Sequence, residues 1–226
     1  MITNQLSTII DQINVALEAK SQVRDVTLTR SRELIRHCAN AIRAAHRRQL
    51  SESKAMLQNA QAIAEQMITE ANSYPDVYFA GYTQDAMKEL AEAHITYALI
   101  ADEAIPAPAT IKVEEAAYLN GLAEAAGELR RYTLDALRRG EVDLAERVLN
   151  YMDEIYSFLI TIDFPNALTD NLRRNTDMVR GVLERTRGDV TTAVRQESMK
   201  AALKEFEQRL GLSLEPETIE EVASEE

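Results

Sequence analysis

Residues 21–50 read SQVRDVTLTRSRELIRHCANAIRAAHRRQL and contain neither Pro nor Gly. Leu28, Leu34, Ile35, Ala39, Ile42 and Ala45 recur at three- and four-residue steps, the period of one buried helical face. The pattern extends both ways: Leu6, Ile9, Ile13 and Leu17 lie before it, and Met56, Ile63 and Met67 after it. The first Pro or Gly is Pro75. The spacing therefore predicts one or more long N-terminal helices, with a bend near Ser51–Ser53, where two serines can cap a new start.

Downstream, punctuation divides the chain. NSYPD at 72–76 is the first break, and YFAGY is a connector to a helix over 84–103 with Thr83 as N-cap. IPAPAT at 105–110 is a loop, because proline is excluded from helix interiors. Further helices are predicted from 111 or 113 to 139, closed by Gly140; over 142–160; over 167–187, ending at Gly188; and over 190–210, ending at Gly211. The fold class is all-α: about seven helices in a single bundle-like domain over residues 1–210. Residues 211–226 are expected to be an acidic, flexible tail. A helix of about 45 residues would span roughly 68 Å, longer than a bundle of this mass can cover. Self-association follows as an expectation.

Composition agrees. Among 226 residues there are seven Gly, five Pro and twelve aromatics, too few for a turn-rich sheet protein. One Cys cannot make an intramolecular disulfide or a thiolate metal cluster. No apolar run approaches about 20 residues, and the N-terminal MITNQLSTIIDQ lacks the pattern of a signal peptide. A cytoplasmic protein without membrane association is expected. The net charge of −12 argues against a uniformly basic coat. It is unevenly spread, however: residues 1–60 carry nine basic and five acidic side chains, whereas 61–118 carry two and ten.

Within that acidic middle, Glu89 and Glu92 stand three apart, and Glu124 and Glu128 four apart, so each pair shares a helix face. The second pair lies among Gly121, Ala123, Ala125, Ala126 and Gly127, small residues that let another helix come close. If the two helices are neighbours, four carboxylates converge. Such crowding raises carboxyl pKa values unless a divalent cation compensates, and oxygen-only ligation suits Mg²⁺ or Mn²⁺. Bound Mg²⁺ can activate water and stabilise charge growing on a phosphodiester. The same spacings occur on solvated helix faces, and that reading stays open. No Glu-x-x-His pair is present, which removes the di-iron pattern of helical bundles. His94 is expected to pack or hydrogen-bond near the carboxylate face, His37 and His46 to be surface residues, and Cys38 to be a core thiol.

Arg32, Arg36, Arg43 and Arg47 follow one another at four, seven and four residues, roughly one side of a helix. Arginine forks suit phosphate, and such an array can track a nucleic-acid backbone without reading bases. Arg173, Arg174, Arg180, Arg185 and Arg187 form a second cluster. Surface salt bridges are the alternative for both.

Taken together, DVTLTRSRELIRHCANAIRAAHR (25–47), GYTQDAMKELAEAHITYALI (81–100), YLNGLAEAAGELRRYTLDALRRGE (118–141) and FPNALTDNLRRNTDMVRGVLERTRGD (164–189) resemble the translin superfamily. Within it they are most similar to the translin-associated factor X branch and its archaeal relatives, over most of residues 20–195. The resemblance implies a seven-helix fold whose subunits assemble into a closed shell, often an octamer, around single-stranded RNA or DNA. It also implies Mg²⁺-dependent endoribonuclease activity, with Glu89, Glu92, Glu124 and Glu128 as the metal-binding catalytic set. The animal enzyme typically has Asp in place of Glu124. Arg32, Arg36, Arg43 and Arg47 match the family's nucleic-acid-binding region. Two other functions fit the same residues: a non-catalytic RNA- or DNA-binding shell, and an all-helical Mg²⁺-dependent nucleotide pyrophosphatase.

Overall fold

A computed structural model describes residues 2–210, and among these every regular element is an α-helix. The predicted tail, 211–226, lies outside the described residues. Six helices are long: α1 (Ile2–His46), α2 (Leu50–Ala71), α4 (Gly81–Ala101), α6 (Glu115–Arg138), α7 (Val142–Leu159) and α9 (Leu172–Arg209). Three single turns, α3 (Pro75–Tyr78), α5 (Pro108–Ile111) and α8 (Asn166–Thr169), sit in the connections between them.

Local chemistry explains most boundaries and corrects three. The break between α1 and α2 falls at Arg47–Gln49 rather than at Ser51–Ser53, with Arg48 in the left-handed region at φ 61°. Ser53 is no cap: it is buried inside α2, and its hydroxyl donates to the Ala41 carbonyl at 2.8 Å, tying α2 to α1. The fourth helix starts at Gly81, two residues before Thr83, whose hydroxyl instead donates to the Val77 carbonyl of α3. The two C-terminal helices are one, because α9 runs unbroken through Gly188. A helix tolerates one such glycine at a cost of about 1 kcal/mol. Packing of Val182, Leu183, Thr186 and Val190 on both sides of it outweighs that cost. Gly140, by contrast, does end a helix, at φ 75°, a conformation that penalises any side chain.

Two large apolar clusters make most of the core, with a small third one of Ala136, Ala145 and Val190. In one, α1, α2 and α4 contribute Leu34, Cys38, Leu57, Met67, Met87, Leu90 and Ile95. In the other, α6, α7 and α9 contribute Leu129, Met152, Leu159, Val179 and Leu183. The clusters meet where α4 packs on α6, and Leu99 and Leu122 touch both. Residues 2–18 of α1 contact neither cluster. They are exposed throughout, including Leu6, Ile9, Ile13 and Leu17.

Candidate metal centre and basic face

The seam between the two clusters is made by small residues. A Cβ added at Gly121 of α6 would lie 2.6 Å from the Lys88 carbonyl, 2.8 Å from Ala91 Cβ and 2.9 Å from the Glu92 amide nitrogen. Two of these atoms are backbone, so no side chain can turn aside, and only glycine permits this approach. Gly127, the other glycine in the motif, meets nothing and serves no such contact.

Close approach places the carboxylates together. One oxygen each from Glu89 and Glu92 of α4 and Glu124 of α6 lie within 4.8 Å of one another. Metal–oxygen bonds of about 2.1 Å set opposite ligands of an octahedral Mg²⁺ roughly 4.2 Å apart, so three such oxygens can share one small hard cation. The donor set is oxygen alone, which suits Mg²⁺ or Mn²⁺ and not zinc or copper.

The electrostatics of the cluster are uneven. Burial, reinforced by the charges of Glu89, Glu124 and Glu128, pushes the Glu92 carboxyl up to about 8. Burial also raises Glu89, against the opposing pull of Lys88. Lys88 reaches into the cluster, its ammonium donating to Glu124 Oε1 at 2.8 Å and standing 4.0 Å from Glu89 Oε1. Burial disfavours that charge, but the hydrogen bond and charge of Glu124 prevail and raise its pKa.

Glu128 behaves differently. His46, the last residue of α1, donates from Nε2 to Glu128 Oε2 across 2.5 Å. This bond holds the Glu128 carboxyl below its ordinary range, against the opposing effect of burial. The imidazole is buried beside the Tyr132 ring, and its Nδ1 has no partner.

On the outer side of α1, Arg32, Arg36, Arg43 and Arg47 are all exposed. A helix of 3.6 residues per turn confines Arg32, Arg36 and Arg43 to an arc of roughly 40°, and Arg47 lies just beyond the end of α1, in the break before α2. Among the described residues none pairs with a carboxylate; Arg43 and Arg47 bond only to the amides of Asn40 and Gln49. The second arginine cluster is partly consumed, since Arg187 pairs with Asp153 and Glu184.

No family model matches the chain. An uncharacterized protein of Methanocaldococcus jannaschii is 33% identical over 213 residues, which cover 91% of this chain and 92% of the relative. Two solved structures of AfC3PO, one of them a complex with duplex RNA, superpose with a TM-score of 0.76. In each, identity is 34%, over 83% of this chain and 97% of AfC3PO. The chain belongs to the translin/C3PO family. The structure of apo-NeC3PO shares the fold, with a TM-score of 0.75 at 21% identity over 81% of this chain and 96% of that one.

Against that family frame, the chain brings three of its four predicted carboxylates into one cluster and turns the fourth, Glu128, toward a histidine. His46 is not the surface residue its basic neighbours imply. The stripe Leu34, Cys38, Ile42, His46 is buried along its whole length, and four-residue spacing from Cys38 and Ile42 was the signal for it. His94 does not join the carboxylates. With Lys54, Leu57, Gln61 and Tyr97 it lines a separate cavity of about 350 Å³, where burial lowers its pKa to about 4. Cys38 is a core thiol, as expected, with burial and the charges of Glu89 and Glu92 raising its pKa.

Proposed function

We propose that this chain binds RNA or single-stranded DNA and hydrolyses RNA phosphodiesters with Mg²⁺ or Mn²⁺. The observation that carries the reading is the convergence of Glu89, Glu92 and Glu124 within 4.8 Å at a seam closed by Gly121. A hard divalent cation held there would supply Lewis acidity and a nucleophilic water. The residues of the chain do the rest. Glu89, Glu92 and Glu124 fix the cation, and Glu128, the fourth carboxylate of the expected set, stays bonded to His46 and lines the acidic wall as a water acceptor. Arg32, Arg36, Arg43 and Arg47 draw in and orient the polyanion, with affinity that falls steeply as salt rises. The duplex RNA seen with AfC3PO supports RNA as the ligand class.

Homo-oligomerisation into a closed shell, an octamer in the family pattern, is part of the same proposal. It is supported by exposed Leu6, Ile9, Ile13 and Leu17 on α1 and by exposed Met199, Leu203 and Phe206 on α9. Light scattering on the full chain reads the subunit number. No helix among the described residues is long and apolar enough to cross a membrane, and a cytoplasmic location is proposed with the function.

The deciding experiment incubates labelled single-stranded RNA, single-stranded DNA and duplex RNA with the protein, with Mg²⁺, with Mn²⁺ and with EDTA, beside Glu89→Gln. Metal-dependent RNA products that vanish in Glu89→Gln are expected. Products that persist in that variant refute the assignment. A shell that binds without cutting is the second reading, favoured by the Lys88 ammonium that already neutralises part of the cluster. Tight binding with no products under either metal would select it.

A further inference from the structure

Fully ionised, as cation binding requires, the three converging carboxylates carry three negative charges, and one of their oxygens, Glu124 Oε1, is already bonded to the Lys88 ammonium at 2.8 Å. Lys88 is held there by its backbone: its carbonyl is the atom nearest the missing Cβ of Gly121, at the tightest point of the α4–α6 contact. Its side chain is 22% exposed, so the pair sits in a half-buried seam where screening by water is reduced. The nearby charges are accounted for. Glu128 is paired with buried His46, Asp85 on α4 is exposed to solvent, and Arg131 on α6 is exposed on the Glu128 side. Subtracting the one charge of Lys88 from the three of the cluster leaves two, the charge of a single divalent ion. A second ion would put five positive charges against three negative ones in a confined space, at a large desolvation cost.

We propose that Lys88 is a built-in second cation of the carboxylate cluster, so that each chain takes up one divalent ion and not two. Each carboxylate has two oxygens. Lys88 can therefore keep Glu124 Oε1 while the other oxygen of Glu124 turns to the metal. In that arrangement the lysine also stands beside the space where a phosphate would approach the ion, and it supplies there the charge that a second metal supplies in two-metal sites. The inference rests on the metal-binding reading given above, and its test separates the two.

The test titrates EDTA-stripped, full-length protein with MnCl₂ by calorimetry and counts bound manganese by atomic emission. Wild type should bind one Mn²⁺ per chain. Lys88→Gln should bind the first ion about tenfold more tightly, because a repelling charge is gone. It should also gain a second, weaker event. Its metal-free melting temperature should fall, since the three carboxylates lose their counter-charge. Lys88→Arg should keep a single ion. Two ions per wild-type chain overturn the inference, as does a Lys88→Gln protein with wild-type affinity and stoichiometry. If Lys88→Gln does not fold, the ion count of wild type and of Lys88→Arg still decides. No Mn²⁺ uptake by wild type, or undiminished uptake by Glu92→Gln, overturns the metal site itself.

Discussion

The two ends of the acidic cluster are built from the same side chain and behave in opposite ways. At the α4 end, Glu92 is buried among like charges, and its carboxyl is pushed up to about 8. At the α1 end, Glu128 accepts a hydrogen bond from His46 and is held low. Four glutamates do not make four equivalent ligands. Which partner each helix brings, an unpaired carboxylate or an imidazole, decides which of them gains most from an added cation. The α4 end is destabilised until something neutralises it, whereas the α1 end is already satisfied within the chain.

The strongest way to break the contrast is to force the seam open. Gly121→Val should destabilise the protein by about 3 kcal/mol or more, because overpacking against backbone has no side chain to displace. Denaturant unfolding of the chelated protein measures it. Gly127→Ala, six residues further along α6 and about 120° around it, with open space beside it, should instead be neutral or slightly stabilising through helix propensity. Equal losses at both glycines would refute the account of the seam.

Next in size is the loss of the imidazole. His46→Ala should cost about 1–3 kcal/mol, by leaving a half-buried carboxylate without its donor. His46→Gln, whose amide can donate from a similar position, should recover part of it. The loss should grow on going from pH 3 to pH 7, because Glu128 is protonated at the acid end and no longer needs the donor. A loss of constant size across that range would show that His46 matters only as packing.

Glu92→Gln should move stability the other way. A carboxyl whose folded pKa is raised stabilises the fold fully below its unfolded value near 4.5, and the contribution is lost as pH rises through about 8. In EDTA, therefore, the wild-type melting temperature should decline between pH 5 and pH 8, and Glu92→Gln should flatten that decline while abolishing Mn²⁺ uptake. An identical slope in the two proteins would show that Glu92 is not the titrating group. The smallest effect is at the basic face. Arg36→Ala should reduce the slope of log affinity for RNA against log salt by about one unit or less, with no change in melting temperature.

Much of this was legible in the sequence because it depends on local period. The Pro- and Gly-free run to residue 74 and the stop at Gly140 each express a backbone rule, and each marks a real feature, whereas the loop at 105–110 turns helical at Pro108, where α5 begins. The carboxylate pairs were legible for the same reason, since three- and four-residue spacing fixes a helix face. What local period cannot supply is the partner across the seam. His46 and Glu128 are separated by 82 positions, and only the buried stripe through Cys38 and Ile42 hinted that the histidine points inward. Lys88 was not legible as part of the cluster, because a lysine between Asp85 and Glu89 reads as ordinary surface alternation. Gly188 misled in the opposite direction, since a helix packed on both sides of a glycine does not stop there.

One feature of α1 ties these regions together. The helix has no glycine or proline along its 45 residues, and it carries the exposed apolar arm at its start, Arg32, Arg36 and Arg43 along its later half and His46 at its last turn. These are stations on a single rod of roughly 68 Å. The azimuth of that rod is set by Leu34, Cys38 and Ile42, which are buried in the core, so the same packing that turns the imidazole to Glu128 also turns the arginines outward and fixes the direction in which the arm projects.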